Sequence, residues 1–123
     1  GRNNEDKKMR TLNDYFLTGT IDDVSTAFTS RVAVPDGGRV IKITTVLGGT
    51  ISGANAGITA KINGTAITGG TITVAYSGSA AGDVDSCEPT AANTCSEDDY
   101  IGIATDGAST GTHSLHYTII IRR

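Results

Sequence analysis

The residues whose types could do chemistry are few. His113 and His116 are the two histidines of the chain. Three positions apart in a strand, they point to opposite faces and cannot jointly ligate one metal ion within a single chain. His113 shares parity with an inward-facing row and His116 with a polar one, the pattern of ordinary strand histidines. Cys87 and Cys95 lie in the segment CEPTAANTC. It lacks the CxxC spacing of redox pairs and the short ligand spacings of zinc sites. Two readings stand, a pair of free thiols or a disulfide, and a bridge closing so short a loop would add roughly 2.5 kcal/mol by chain entropy. Gly82-Asp83-Val84-Asp85-Ser86 resembles a cation loop in its acids alone. It has neither the mid-loop glycine nor the closing glutamate of an EF-hand. Glu97-Asp98-Asp99 reads as turn residues leading into a strand. The glycine-rich pieces GGTISGAN and TGGT do not open a helix after a strand, as phosphate loops do. No GxSxG elbow for a serine nucleophile is present. The expectation is a non-enzymatic chain that uses no cofactor and no metal.

Composition narrows the partners. With 123 residues there is room for one domain. The apolar fraction is 37%, with no Trp, so the core must come from Ile, Val, Leu and a few rings. A domain of this size and composition is only marginally stable alone, which makes partners energetically important. A formal charge of -3 and a pI near 5.1 argue against nucleic acid, which needs a concentrated basic face. No apolar run approaches the roughly 20 residues of a spanning helix, so no membrane is expected. Gly1 to Lys8 is polar and has no apolar segment behind it, so no secretion signal is expected either.

The elements that must position any surface are strands. Thr, Ile and Val fill the middle of the chain, Gly numbers 16, and no stretch repeats apolar residues at helical spacing. Ile58, Ala60 and Ile62 alternate with polar residues up to Asn63-Gly64, the dipeptide of a tight hairpin. Ile72, Val74 and Tyr76 alternate after a break expected at Gly69-Gly70. Ser30 to Val34 and Arg39 to Leu47 flank the turn Pro35-Asp36-Gly37-Gly38, and Tyr100 to Ala104 ends at Asp106-Gly107. Ser77 to Asp99 reads as a surface excursion carrying the cysteines, with a short strand near Val84. Leu115, Tyr117, Ile119 and Ile121 form the inward row of a final strand expected at the centre of a sheet, since an exposed apolar edge invites aggregation. Strand parity gives a core of Ile41, Ile43, Ile58, Ile62, Ile72, Val74, Ile101, Ile103 and that final row. The fold class is all-β, an antiparallel sandwich wound in jelly-roll fashion.

The N-terminal segment differs in character. Residues 1–17 are expected to form a polar tail and a docking arm, and 18–123 the sandwich domain. Leu12, Tyr15, Phe16 and Leu17 crowd together behind the polar tail and read either as the first strand of the domain or as an arm that docks on a neighbouring subunit; in the second reading they are the candidate partner-docking group.

The runs TLNDYFLTGTIDDVSTAFTSRVAVPDGGRVIKITTVLGG, ITAKINGTAITGGTITV, SGSAAGDVDS and SEDDYIGIATDGASTGTHSLHYTIIIRR resemble small structural proteins of tailed-bacteriophage virions. The resemblance spans Thr11 to Arg123 and rests on Gly, Thr and Ile patterns. Related modules carry Gly-Asp before the penultimate strand, where this chain has Asp98-Asp99. Within the group, the size fits a head decoration (cement) protein. The resemblance implies the outer capsid surface as location, the major capsid protein as partner and a homo-oligomer, with a trimer favoured. It transfers no functional residue. The rival readings are a fibre- or tail-associated adhesion module that binds a glycan or host surface, and a subunit of a bacterial surface filament.

Overall fold

The computed structural model describes residues 13–123. Nine strands follow one another: β1 (Asp14–Ile21), β2 (Phe28–Ala33), β3 (Gly38–Leu47), β4 (Ala56–Ile62), β5 (Thr65–Val74), β6 (Val84–Cys87), β7 (Thr94–Cys95), β8 (Tyr100–Thr105) and β9 (Leu115–Arg122). They form two antiparallel sheets. A front sheet runs β1-β9-β3-β6, with the two-residue β7 also on β3, and a back sheet runs β2-β8-β4-β5. The chain pairs like one long hairpin rolled onto itself, β1 with β9, β2 with β8, β3 with β6 and β4 with β5. The pairings β9 with β3 and β8 with β4 then close each sheet. Pro35 to Gly37 therefore does not turn a hairpin; it carries the chain from the back sheet to the front one.

Period-two alternation builds the core. Eleven of the twelve side chains assigned to it are buried, and β9 lies between β1 and β3 as its apolar inward row requires. Ile41 is the exception and is only half-buried. Its strand slips by one residue between Val40 and Lys42, a bulge that leaves Ile41 unpaired and turns both Val40 and Ile43 inward. The slip is matched from the surface excursion. The Val40 N–H donates to the Asn93 carbonyl at 2.8 Å, and Asn93 Nδ2 donates back to the Val40 carbonyl at 2.7 Å. The backbone groups of Val40 are thus satisfied although the core has shifted around them.

A second departure lies at Gly69-Gly70, expected as a break. β5 runs through it, with Ile67 to Gly70 as extra residues between the pairs Lys61–Ala66 and Thr59–Thr71, and Ile67 turned into the core. Gly69 takes a φ of 76°, and Thr68 bridges to Ala91. The Asn63-Gly64 turn is as read from the sequence. Both residues have positive φ, 51° and 85°, which is the primed turn that matches strand twist. Asn63 also donates to Asp99 Oδ1 at 2.9 Å and accepts from the Tyr100 N–H at 3.0 Å. Asn63→Ala should therefore cost about 1–2 kcal/mol, from the left-handed backbone and the lost bonds together. A thermal melt several degrees below that of the parent is the expected result.

Candidate interaction surfaces

The cluster expected as a docking arm is divided by the pleat. Leu12 lies outside the described residues. Tyr15, Phe16 and Leu17 belong to β1, which pairs with β9 along its whole length from Asp14, so the domain's first strand begins inside the segment assigned to the arm. Tyr15 and Leu17 pack against the core. The Tyr15 hydroxyl donates to the Asp36 carbonyl, and Arg123 lies 5.5 Å from its ring centre while pairing with Asp36 at 2.7 Å. Phe16 alone points outward, 63% exposed.

Phe16 belongs to the outer face of the front sheet. The register lines up four cross-strand rows. Asp14, Arg122 and Arg39 form one end, where Arg122 Nε meets Asp14 Oδ1 at 2.9 Å. Phe16, Ile120 and Lys42 come next, followed by Thr18, Thr118, Thr44 and Ser86. Thr20, His116, Val46 and Val84 form the far row, where Thr20 Oγ1 and His116 Nδ1 are 3.0 Å apart. Beyond the charged end row, the formal charge on this face is Lys42. Rings, methyl groups and short hydroxyls supply the rest, and Val84 is 63% exposed at its edge.

The other candidate residues have structural employment. The His113 ring lies against Gly49, where a side chain would overlap it, and the His113 carbonyl accepts from the Val24 N–H at 2.9 Å. Among the described residues no three His, Cys, Asp or Glu side chains are grouped to hold a metal. Of the two readings left open for the cysteines, the structure carries free thiols. Cys95 is opposite Gly38 and Cys87 opposite Ile43, on the same side of β3. Five residues of strand separate them by roughly 15 Å, about twice the reach of a disulfide. Burial pushes both thiols up from their ordinary range, with the Asp99 charge adding to the effect at Cys95, so neither is activated.

The acids mostly tie turns. Asp99 Oδ2 accepts from the Ser96 N–H at 2.8 Å, and Asp83 Oδ2 from the Ala80 N–H at 2.9 Å. Hydrogen bonds hold four carboxyls below their ordinary value of 3.8: from Arg122 to Asp14, Ser25 to Asp23, Arg123 to Asp36 and Asn63 to Asp99. Asp85 moves upward, through burial and then the Asp83 charge. The folded chain binds the four protons more weakly than the unfolded chain, so their contribution is intact above 3.8 and is lost as pH falls through and below it. Asp85 opposes the trend alone. Denaturation midpoints measured from pH 7 down to 2 should stay level above the carboxylate range and drop below it.

The sequence matches no family model and no curated protein. Solved structures do match it. A chain of the acidic stable capsid structure of Helicobacter pylori bacteriophage KHP30 is similar with a TM-score of 0.60 and 11% identity, over 89% of this chain and 87% of that one. At that identity the likeness is one of fold. A chain of dimeric latent PorU from Porphyromonas gingivalis aligns with 89% of this chain but 13% of its own, at a TM-score of 0.49 and 10% identity.

Proposed function

We propose that this chain is a structural virion protein that binds the outer surface of a phage capsid and stabilises the head. The observation that carries the reading is the fold likeness to a phage capsid structure, which extends over nearly the full length of both chains. The rolled-hairpin pairing supports a jelly-roll winding, the architecture of many capsid domains. The outer face of the front sheet supplies the docking surface, with Phe16 as its anchor. Four rows by four strands cover roughly 20 by 15 Å, about 300 Å², well short of the roughly 800 Å² each partner gives a standard interface. A single copy would bind weakly through such a patch. A homo-oligomer, with a trimer favoured, would engage several equivalent sites of a symmetric shell and gain avidity without new contacts. The test is to purify particles and measure whether the protein travels with them at a fixed ratio to the major shell protein. Integer stoichiometry that survives a salt wash supports the reading, and absence from washed particles contradicts it.

A further inference from the structure

On the outer face of the back sheet, opposite the proposed docking surface, a trench of about 160 Å³ runs along β8. Gly102 and Ala104 form its floor, Thr29 and Arg31 of β2 one wall, Lys61 of β4 the other, and Tyr100 beside Gly64 its closed end. Arg31 and Lys61 both pair with Gly102 in register, so they stand two strand spacings apart, roughly 10 Å. The Arg31 guanidinium lies 5.9 Å from the Tyr100 ring centre. Among the described residues the ion pairs are Arg122–Asp14 and Arg123–Asp36, so both trench cations lack a carboxylate partner there.

Gly102 has no backbone reason to be glycine. Its φ is not in the left-handed region, and an added Cβ would crowd the Thr29 methyl at 3.1 Å, so what glycine provides here is room between Thr29 and the floor. Glycine inside a strand weakens it, and away from a bulge or a tight bend it marks a place where a ligand or another backbone approaches closely. The lining is rich in donors: a guanidinium, an ammonium and the Thr29 and Tyr100 hydroxyls, with no carboxylate among them.

We propose that this trench binds an acidic sugar residue, its carboxylate over Gly102 between Arg31 and Lys61 and its hydroxyls toward Thr29 and Tyr100. The recess is about half the lower limit for a drug-sized ligand, which suits a single ring. Arg31, Lys61 and the Thr29 and Tyr100 hydroxyls ring a floor of Gly102 and Ala104, which includes no large aliphatic side chain to socket a protein anchor. The floor and far wall lie on β8 and β4, interior strands whose backbone groups are already paired on both sides, so a chain lying in the trench would find no strand edge to pair with there. The inference is independent of the capsid reading, since it concerns the other sheet.

Titration of nitrogen-15-labelled protein with glucuronate, glucose, acetate and a short polyglutamate peptide tests it. Saturable shifts at Arg31, Lys61 and Gly102 with glucuronate, absent with the other three, are expected. Arg31→Ala and Lys61→Ala should each weaken binding by about tenfold or more. Gly102→Leu should abolish it by filling the floor, with the spectrum of each variant reporting its fold. No saturable shift with glucuronate would overturn the proposal. So would an equal response to acetate, which marks an adventitious anion site, or tighter binding of the peptide.

Discussion

Gly19→Ala should destabilise the domain by about 2–4 kcal/mol, although it adds one methyl group to a strand. Gly19 faces the core from β1, opposite Tyr117 of β9. A Cβ there would lie 2.9 Å from Tyr117 Cε2 and closer still to Cζ and Oη. The ring has nowhere to retreat, because Tyr117 is among the largest fully buried side chains. Its hydroxyl also ties the two sheets together, 2.7 Å from Ser30 Oγ of β2. Displacing the ring thus combines overpacking with a broken buried hydrogen bond. Tyr117→Phe removes the most crowded atom, so the double variant should be more stable than the sum of the single losses implies. Chemical denaturation of the four proteins measures this coupling. Strict additivity would mean that the methyl group does not meet the phenol.

Phe16→Ala should do the opposite: little to the fold and much to binding. Phe16 contacts neighbours on the outer face only, so its loss should cost under about 1 kcal/mol of stability. As the aromatic anchor of the docking face, it should carry about 2 kcal/mol or more of particle binding, roughly thirtyfold in affinity. Leu17→Ala, one residue on but facing the core, should lower the melting temperature and leave the affinity of the folded fraction unchanged. A pelleting assay beside thermal melts separates the two effects. Phe16→Ala protein that binds particles as the parent does would remove the anchor from the proposal.

The contrast between positions 16 and 17 shows how far the sequence could be read. Local alternation correctly gave the strands around Ile58 and Ile119, and Asn63-Gly64 correctly gave a hairpin, because each signal is complete within a few residues. The crowding of Tyr15, Phe16 and Leu17 leaves a first strand and an arm both open, because a strand with one side chain outward and its neighbours inward contains the same letters as an arm; the register on β9 decides for the strand. Strand parity puts Ile41 in the core, but the bulge beside it is fixed by Asn93, 53 residues away from Val40. No local window contains that cause. The outer face of the front sheet is illegible in the sequence for a similar reason. Thr18, Thr118, Thr44 and Ser86 become one row only once the register of four strands is set. The trench likewise exists because Arg31, Gly102 and Lys61 meet across three strands.

The central claim, that the front sheet meets the particle while the back sheet faces solvent, is tested most directly by thiol labelling on assembled particles. In a Cys87→Ser background, Thr18→Cys places a probe on the front face and Thr71→Cys one on the back face, both at exposed positions. Free in solution the two should label at similar rates. On particles, the probe at 18 should be protected and the probe at 71 should react as in solution. Equal labelling of both on particles, or protection of position 71 alone, would contradict the account.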